Sequence, residues 1–399
     1  MRKKRQIITL KLLAAILFLI PFFKPIGPCY YDSVNVFFQI WKVVSIIFGI
    51  GFLIKKNKEI SIYPSILKLI LFWGIYLISS AINRSEIVDI VNNAITSIIL
   101  VFYIMHNYNK DNEHVVNTAL TIIFKSYIIL HIASVFFINI FKIPLFSEDV
   151  NTIYFLGSDN YSAFSTLPMI AIILYNGYRS KSTFLKRDIL LLIALTITYI
   201  FTKSYTASFS FTLFTIFTLL LVFNKNILKI LSVRKVLAAS AIVLILVLLF
   251  NIQNLFTPFL ENVIHKGANL NSRTIIWNNA LDIIKTNPLL GMGKLSNTQI
   301  NDYYLYGASH THNIFLELLM TTGIIGSIIF LSYMNKSVSK VYKKEKTDKD
   351  ISILILGLIS YIILSTMDYY IFSQYQYCIL GILYATSLQT KGINDGNTK

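Results

Sequence analysis

The stretch VLAASAIVLILVLLFNI, residues 236–252, decides the fold. Its seventeen residues carry no charge, and Arg234 and Lys235 stand just before it. A helix needs about 20 apolar residues, within a range of roughly 17–25, to cross the hydrocarbon core of a bilayer. Lipid offers no partner to a free backbone N–H or C=O, so a helix is the form such a run takes there. Working outward, eleven further runs meet or approach this length, near 7–23, 34–54, 62–82, 87–105, 119–141, 162–178, 188–202, 206–223, 313–333, 351–367 and 370–388. The expectation is an all-α polytopic membrane protein with about twelve transmembrane helices, residues 1–399 forming a single integral membrane domain. The one long connection, 253–312, lies between the ninth and tenth runs.

Composition agrees. Of the 399 residues 55% are hydrophobic and only 14% charged, against about 25% charged in soluble domains. The net charge of +17 could suggest nucleic acid, but Lys and Arg occur in short clusters between apolar runs, so no nucleic-acid partner is expected. Cys29 and Cys378 lie in different segments and form neither a disulfide framework nor a metal-ligand spacing. Basic residues Arg2 to Arg5 before an apolar run resemble a signal peptide. No small-residue cleavage site follows, so the run reads as an uncleaved first span.

The positive-inside rule orients the chain. With the N-terminus in the cytoplasm and strict alternation, 24 of the 36 Lys and Arg fall on the inside and eight on the outside, with Lys11, Lys42, Lys68 and Lys125 inside spans. Removing one span before the long loop would spoil the bias. Both termini are therefore expected in the cytoplasm and 253–312 is expected to be extracytoplasmic. The inside clusters, Arg179 among them, read as orientation signals and contacts with anionic lipid. Lys11, Lys68 and Lys125 are expected to snorkel to the interface, whereas Lys42 lies deep enough to need a partner or a snorkelling path.

Within the outer loop, 269–288 reads as an amphipathic helix lying on the bilayer or on the span ends. Ser272 would cap its start, Pro288 follows its end, and Ile276, Trp277, Ala280, Leu281 and Ile284 make an apolar stripe with Trp277 at the headgroup level. Arg273 projects from the first turn. A tight turn at 288–293 follows, then His310, His312 and Asn313 at the entrance to a span that contains Gly323 and Gly326.

An Arg, a Trp four residues on, then Asn-Pro-Leu-x-Gly-x-Gly, then His-Asn entering a span with Gly-x-x-Gly resembles the shared core of the O-antigen polymerase/ligase superfamily. The residues are Arg273, Trp277, Asn287, Pro288, Leu289, Gly291, Gly293, His312, Asn313, Gly323 and Gly326. This resemblance implies a glycosyltransferase in the bacterial cytoplasmic (inner) membrane, working on its outer face without a cofactor. Donor and acceptor would be glycans on undecaprenyl diphosphate, joined as capsule, O-antigen or exopolysaccharide repeat units. A chain-length regulator and a flippase are implied as partners. Two other functions compete: a ligase moving glycan to lipid or protein, and a flippase, which would be expected to show internal repeats that this chain lacks.

Transfer onto matching positions gives His312 as the residue orienting or activating the acceptor hydroxyl and Arg273 as the holder of the diphosphate. Histidine suits hydroxyl activation at neutral pH, and the arginine fork fits phosphate geometry. Asn313 and Glu317, one turn apart, could contact substrate or position the histidine. Lys203 stands in a segment that resembles a family Ser-Arg-Thr, as a point charge in place of a fork. Asn160 is a candidate sugar contact with helix capping as its rival, and Arg84 a candidate phosphate contact with ordinary surface charge as its rival. His310 and His312 alone do not make a metal site for want of a third ligand, so no metal is expected.

Overall fold

The computed structural model describes residues 2–56, 63–110, 112–146, 152–202, 204–223, 228, 231–258, 272–303, 308, 310–339 and 348–389. Fourteen α-helices run through them in chain order: α1 (Arg2–Leu19), α2 (Asp32–Lys55), α3 (Pro64–Ile82), α4 (Val88–Asn109), α5 (Glu113–Phe141), α6 (Asp159–Lys181), α7 (Lys186–Phe201), α8 (Tyr205–Phe223), α9 (Val233–Phe250), α10 (Arg273–Thr286), α11 (Asn297–Tyr303), α12 (Ile314–Ser339), α13 (Lys349–Leu364) and α14 (Gln374–Gln389). Among the described residues there is no strand, only an isolated bridge between Tyr154 and Gly157.

A helix lies at each of the twelve apolar runs, but among the described residues seven are long and apolar enough to cross a membrane: α2, α3, α4, α5, α8, α9 and α12. Three of the other five, α7, α13 and α14, are only 16 residues long. α6, α13 and α14 are buried along nearly their whole length, with α6 packed on α13 and α14 packed on α4. Their solvent is protein, so polar side chains such as Ser162, Asn176, Gln374 and Gln376 are accommodated through hydrogen bonds. Lipid-facing helices show the opposite composition. α2 exposes Phe37, Ile40, Ile47 and Phe48, and α9 exposes Ile242, Ile245 and Leu249. Apolar surface on that scale needs an apolar neighbour.

Several expectations change. The last two runs, 351–367 and 370–388, leave two residues between them, whereas α13 ends at Leu364 and α14 begins at Gln374. The nine residues 365–373 are thereby freed as a connection. Two of the lysines expected to snorkel are tied to neighbouring helices: Lys125 Nζ lies 2.6 Å from the buried Asp188 carboxylate, and Lys68 donates to Ser332 Oγ. Trp277 faces protein and not headgroups. It is buried with Leu244, Val247 and Leu316, and its Nε1 donates to the Thr311 carbonyl at 2.8 Å. Ser272 makes no side-chain cap and sits in a left-handed conformation.

α12 is broken, and the break explains the glycines. Gly323 has φ 61° and ψ −169°, which interrupts the helix. The 288–293 turn fills the gap with its own backbone: Met292 N donates to Met320 O, Gly293 N to Thr321 O, Ile324 N to Pro288 O and Ile325 N to Leu289 O, at 2.7–3.2 Å. A Cβ on Gly323 would lie 2.3 Å from the Leu289 carbonyl, and one on Gly291 2.6 Å from Gly323 N. Only glycine permits both the positive φ and this approach. Ser79, Asn83 and Ser85, around the end of α3, bond Thr321, Gly291 and Met292 backbone carbonyls and hold the staple in place.

Candidate functional site

The staple and α10 together set the level of the loop that enters α12. α10 rests on Met292, Leu295 and Met320 through Ile276, Ala280 and Ile283. Trp277 then pins Thr311 from one side. Glu317 pins it from the other, its Oε2 accepting from both Thr311 N and Thr311 Oγ1 at 2.9 Å. Asn313 caps α12, its Oδ1 accepting from Phe315 N at 2.9 Å and Leu316 N at 3.3 Å. Its Nδ2 donates to Thr366 O at 2.9 Å, which ties the 365–373 connection alongside. Asn313 and Glu317 thus hold the loop bearing the histidines.

Between these clamps, His310 and His312 converge on one carboxylate. Asp368 Oδ1 accepts from His310 Nε2 at 2.8 Å and from His312 Nδ1 at 3.0 Å, and also from Tyr369 N at 3.0 Å. A carboxylate facing these nitrogens is acceptor-only, so each carries its proton on the bonded nitrogen. In the neutral tautomer this selects, the free lone pair of His312 is on Nε2. His312 also has φ 55°, left-handed backbone that costs a non-glycine residue of order 1–2 kcal/mol. The rings of His310 and His312 lie 4.1 Å apart, and Tyr370 lies tilted against His310 at 4.8 Å and edge-on to Tyr161 at 4.7 Å.

Asp368 is almost wholly buried, and burial would raise its pKa. The two histidine hydrogen bonds outweigh that and hold it well below the usual carboxylate range. Burial would likewise lower His310, but its bond to Asp368 and that charge lift it above the ordinary imidazole value. Arg273, at the first position of α10, faces the same group. Burial lowers its pKa, and the Asp368 charge opposes the shift. Its Nε is enclosed and has no hydrogen-bond partner among the described residues.

Three ligand atoms of His310, His312 and Asp368 lie within 4.8 Å of one another, so the third ligand that the sequence lacked is present. Arg273 adds its positive charge to the same group, acting on Asp368 and on His310.

Residues 189–331 match a family model described as O-antigen ligase. The resemblance to the O-antigen polymerase/ligase superfamily stands. No curated protein and no solved structure matches the chain. The match takes in Arg273, the stapling turn, His312, Asn313, Gly323 and Gly326, and it ends before Asp368. Seven helices apolar enough to span make this a multi-pass membrane protein, and over 189–331 it is similar to the O-antigen ligase family.

The other candidates disperse. Asn160 Oδ1 accepts from Ser204 Oγ at the start of α6, one residue before Tyr161. Lys203, next to Ser204, lies outside the described residues. Arg84 is exposed, in a left-handed turn after α3, and is not joined to the histidine cluster by any contact among the described residues. Asp368 is the residue that sequence reasoning missed. In a chain read as closely spaced apolar runs, an Asp in a two-residue gap looks like a turn. A usable signal was its neighbourhood, Ser365-Thr-Met-Asp-Tyr-Tyr370, which is polar and aromatic where a span was drawn.

Proposed function

We propose that the protein is a polymerase that joins lipid-diphosphate-linked oligosaccharide repeat units at the end of the bundle carrying Arg273, His310, His312 and Asp368. One observation carries this reading: a half-buried arginine whose enclosed Nε has no partner among the described residues faces the same Asp368 that leaves His312 Nε2 as an acceptor. A diphosphate leaving group requires the first, and a sugar hydroxyl nucleophile the second. The acceptor oxygen attacks the anomeric carbon, the bond from that carbon to the diphosphate oxygen breaks, and the hydroxyl proton passes to His312 Nε2. Arg273 holds the departing lipid diphosphate. Asp368 keeps the His312 tautomer and stabilises the imidazolium that forms.

The superfamily and the basic-residue bias support a setting in the bacterial inner membrane with this end outside and both termini in the cytoplasm. The carrier is undecaprenyl diphosphate, and a chain-length regulator and flippase act alongside. A second reading, transfer of glycan to a lipid or protein acceptor, is favoured by the name of the matched family, O-antigen ligase. Deletion followed by gel analysis of the glycan separates the two. Loss of long chains with single repeat units remaining on the carrier supports the polymerase. Long lipid-linked chains with loss of transfer to one acceptor would overturn it. Purified protein given lipid-linked repeat units should turn over equally with and without EDTA.

A further inference from the structure

The opposite end of the bundle holds a cavity that the proposed reaction does not use. It measures about 550 Å³ and lies between α1, α2, α4 and the start of α5. Trp41, Phe48 and Tyr103 line its apolar length, and Lys11, Asn107 and Asn112 form its polar end. Trp41 is fixed there by a 2.9 Å bond from Nε1 to Leu17 O. The polar end is far from His312: Asn112 directly precedes Glu113, which binds Arg179 at the last turn of α6, and Tyr161, near the histidines, is at the first. At 1.5 Å per residue these two ends of α6 are roughly 27 Å apart.

The surroundings of this cavity are lipid-facing. Leu10, Leu13 and Leu17 of α1 are exposed, as are Val44 and Phe48 of α2. An apolar cavity many times larger than the ~30 Å³ of a water stays dry and takes an apolar guest. In a bilayer the available guest is an acyl chain. Lys11 is exposed at the mouth, and among the described residues no carboxylate pairs with it. Asn107 Nδ2 is committed to Tyr103 O, and Asn112 adds a second amide at the same end.

We propose that this cavity is a binding site for one anionic phospholipid, its acyl chain lying along Trp41, Phe48 and Tyr103 and its phosphate on Lys11. The sequence-level reading of Lys11 as a snorkelling residue is thereby sharpened: its headgroup contact is a defined site with a cavity beneath it. The site is independent of the glycosyl-transfer reading.

The three tryptophans give the test. Trp73 and Trp277 are buried in protein, so quenching by brominated acyl chains reports Trp41, and a Trp41→Phe variant supplies the background. Full-length protein is reconstituted in vesicles containing brominated phosphatidylglycerol or brominated phosphatidylcholine. Wild type should prefer phosphatidylglycerol by about fivefold, the effect of one cation at an anionic surface. Lys11→Gln should remove the preference and Lys11→Arg keep it. Ala14→Phe, which fills the cavity, should lower quenching by both lipids. Equal quenching of wild type by the two lipids overturns the proposal, as does a preference unchanged in Lys11→Gln or quenching unchanged in Ala14→Phe.

Discussion

Two arginines stand at opposite ends of the bundle, and they differ in what remains for a ligand to do. Arg179 is saturated. Its Nε and Nη2 donate to Glu113 at 3.1 Å, Nη1 to Asp350 at 3.1 Å and Nη2 to Gln389 at 3.0 Å, with the guanidinium over the Tyr175 ring at 5.7 Å. It ties together α6, the start of α5, the start of α13 and the end of α14. Arg273 faces Asp368 without an ion pair among the described residues, and its enclosed Nε has no hydrogen-bond partner among them. A buried donor without a partner costs about 1–3 kcal/mol, so an arginine left in that state is a place where an anion gains binding energy. Saturation marks the structural end, and the deficit marks the chemical one.

The largest effect expected from this contrast is at the histidine. His312→Ala should lower turnover of lipid-linked repeat units by about 10²–10⁴-fold, with protein level and thermal midpoint close to wild type. Turnover within twofold of wild type would remove His312 from the mechanism.

Lysine substitutions at the two arginines test the comparison directly. Arg273→Lys should reduce kcat/KM by about 10–100-fold, because a point charge does not reproduce a bidentate fork, and leave the thermal midpoint in place. Arg179→Lys should do the reverse, losing about 1–3 kcal/mol of stability as Glu113, Asp350 and Gln389 lose their shared partner, with kcat/KM unchanged per folded molecule. If both variants fail in the same assay, the two ends do not differ in the way described.

Gly323→Ala probes the staple that holds the chemical end. A methyl 2.3 Å from the Leu289 carbonyl, on a backbone at φ 61°, should cost about 1–3 kcal/mol. The loss should appear as a lowered thermal midpoint and as protease cleavage near 287–294.

The smallest expected effect is a pH slope. His310 ordinarily titrates near 6.5 and is raised in the fold, where the bond to Asp368 outweighs burial. Stability from this pair is therefore fully present below the unfolded value and lost as pH rises through the folded one. The thermal midpoint should fall from about pH 6 to pH 9 more steeply in wild type than in Asp368→Asn. Equal slopes would separate His310 from Asp368.

Much of this was legible in the chain. Apolar runs of membrane length determine helices wherever they occur, because lipid leaves backbone groups no other partner, and a helix stands at each of the twelve. Arg273, His312 and the glycines were readable because they lie close together along one stretch, 273–326. What the sequence could not decide is whether a polar or charged side chain is satisfied, since that depends on partners far away in the chain. Arg179 read as a topology signal until Glu113, Asp350 and Gln389 came to it from other helices. Trp277 read as an interfacial anchor until Thr311 received its N–H. Asp368, 56 residues beyond His312, reached both histidines only because α13 stops at Leu364 and frees the turn that carries it. Hydropathy along the chain specifies the solvent of each helix; the pairing of its polar groups is a property of the packed bundle alone.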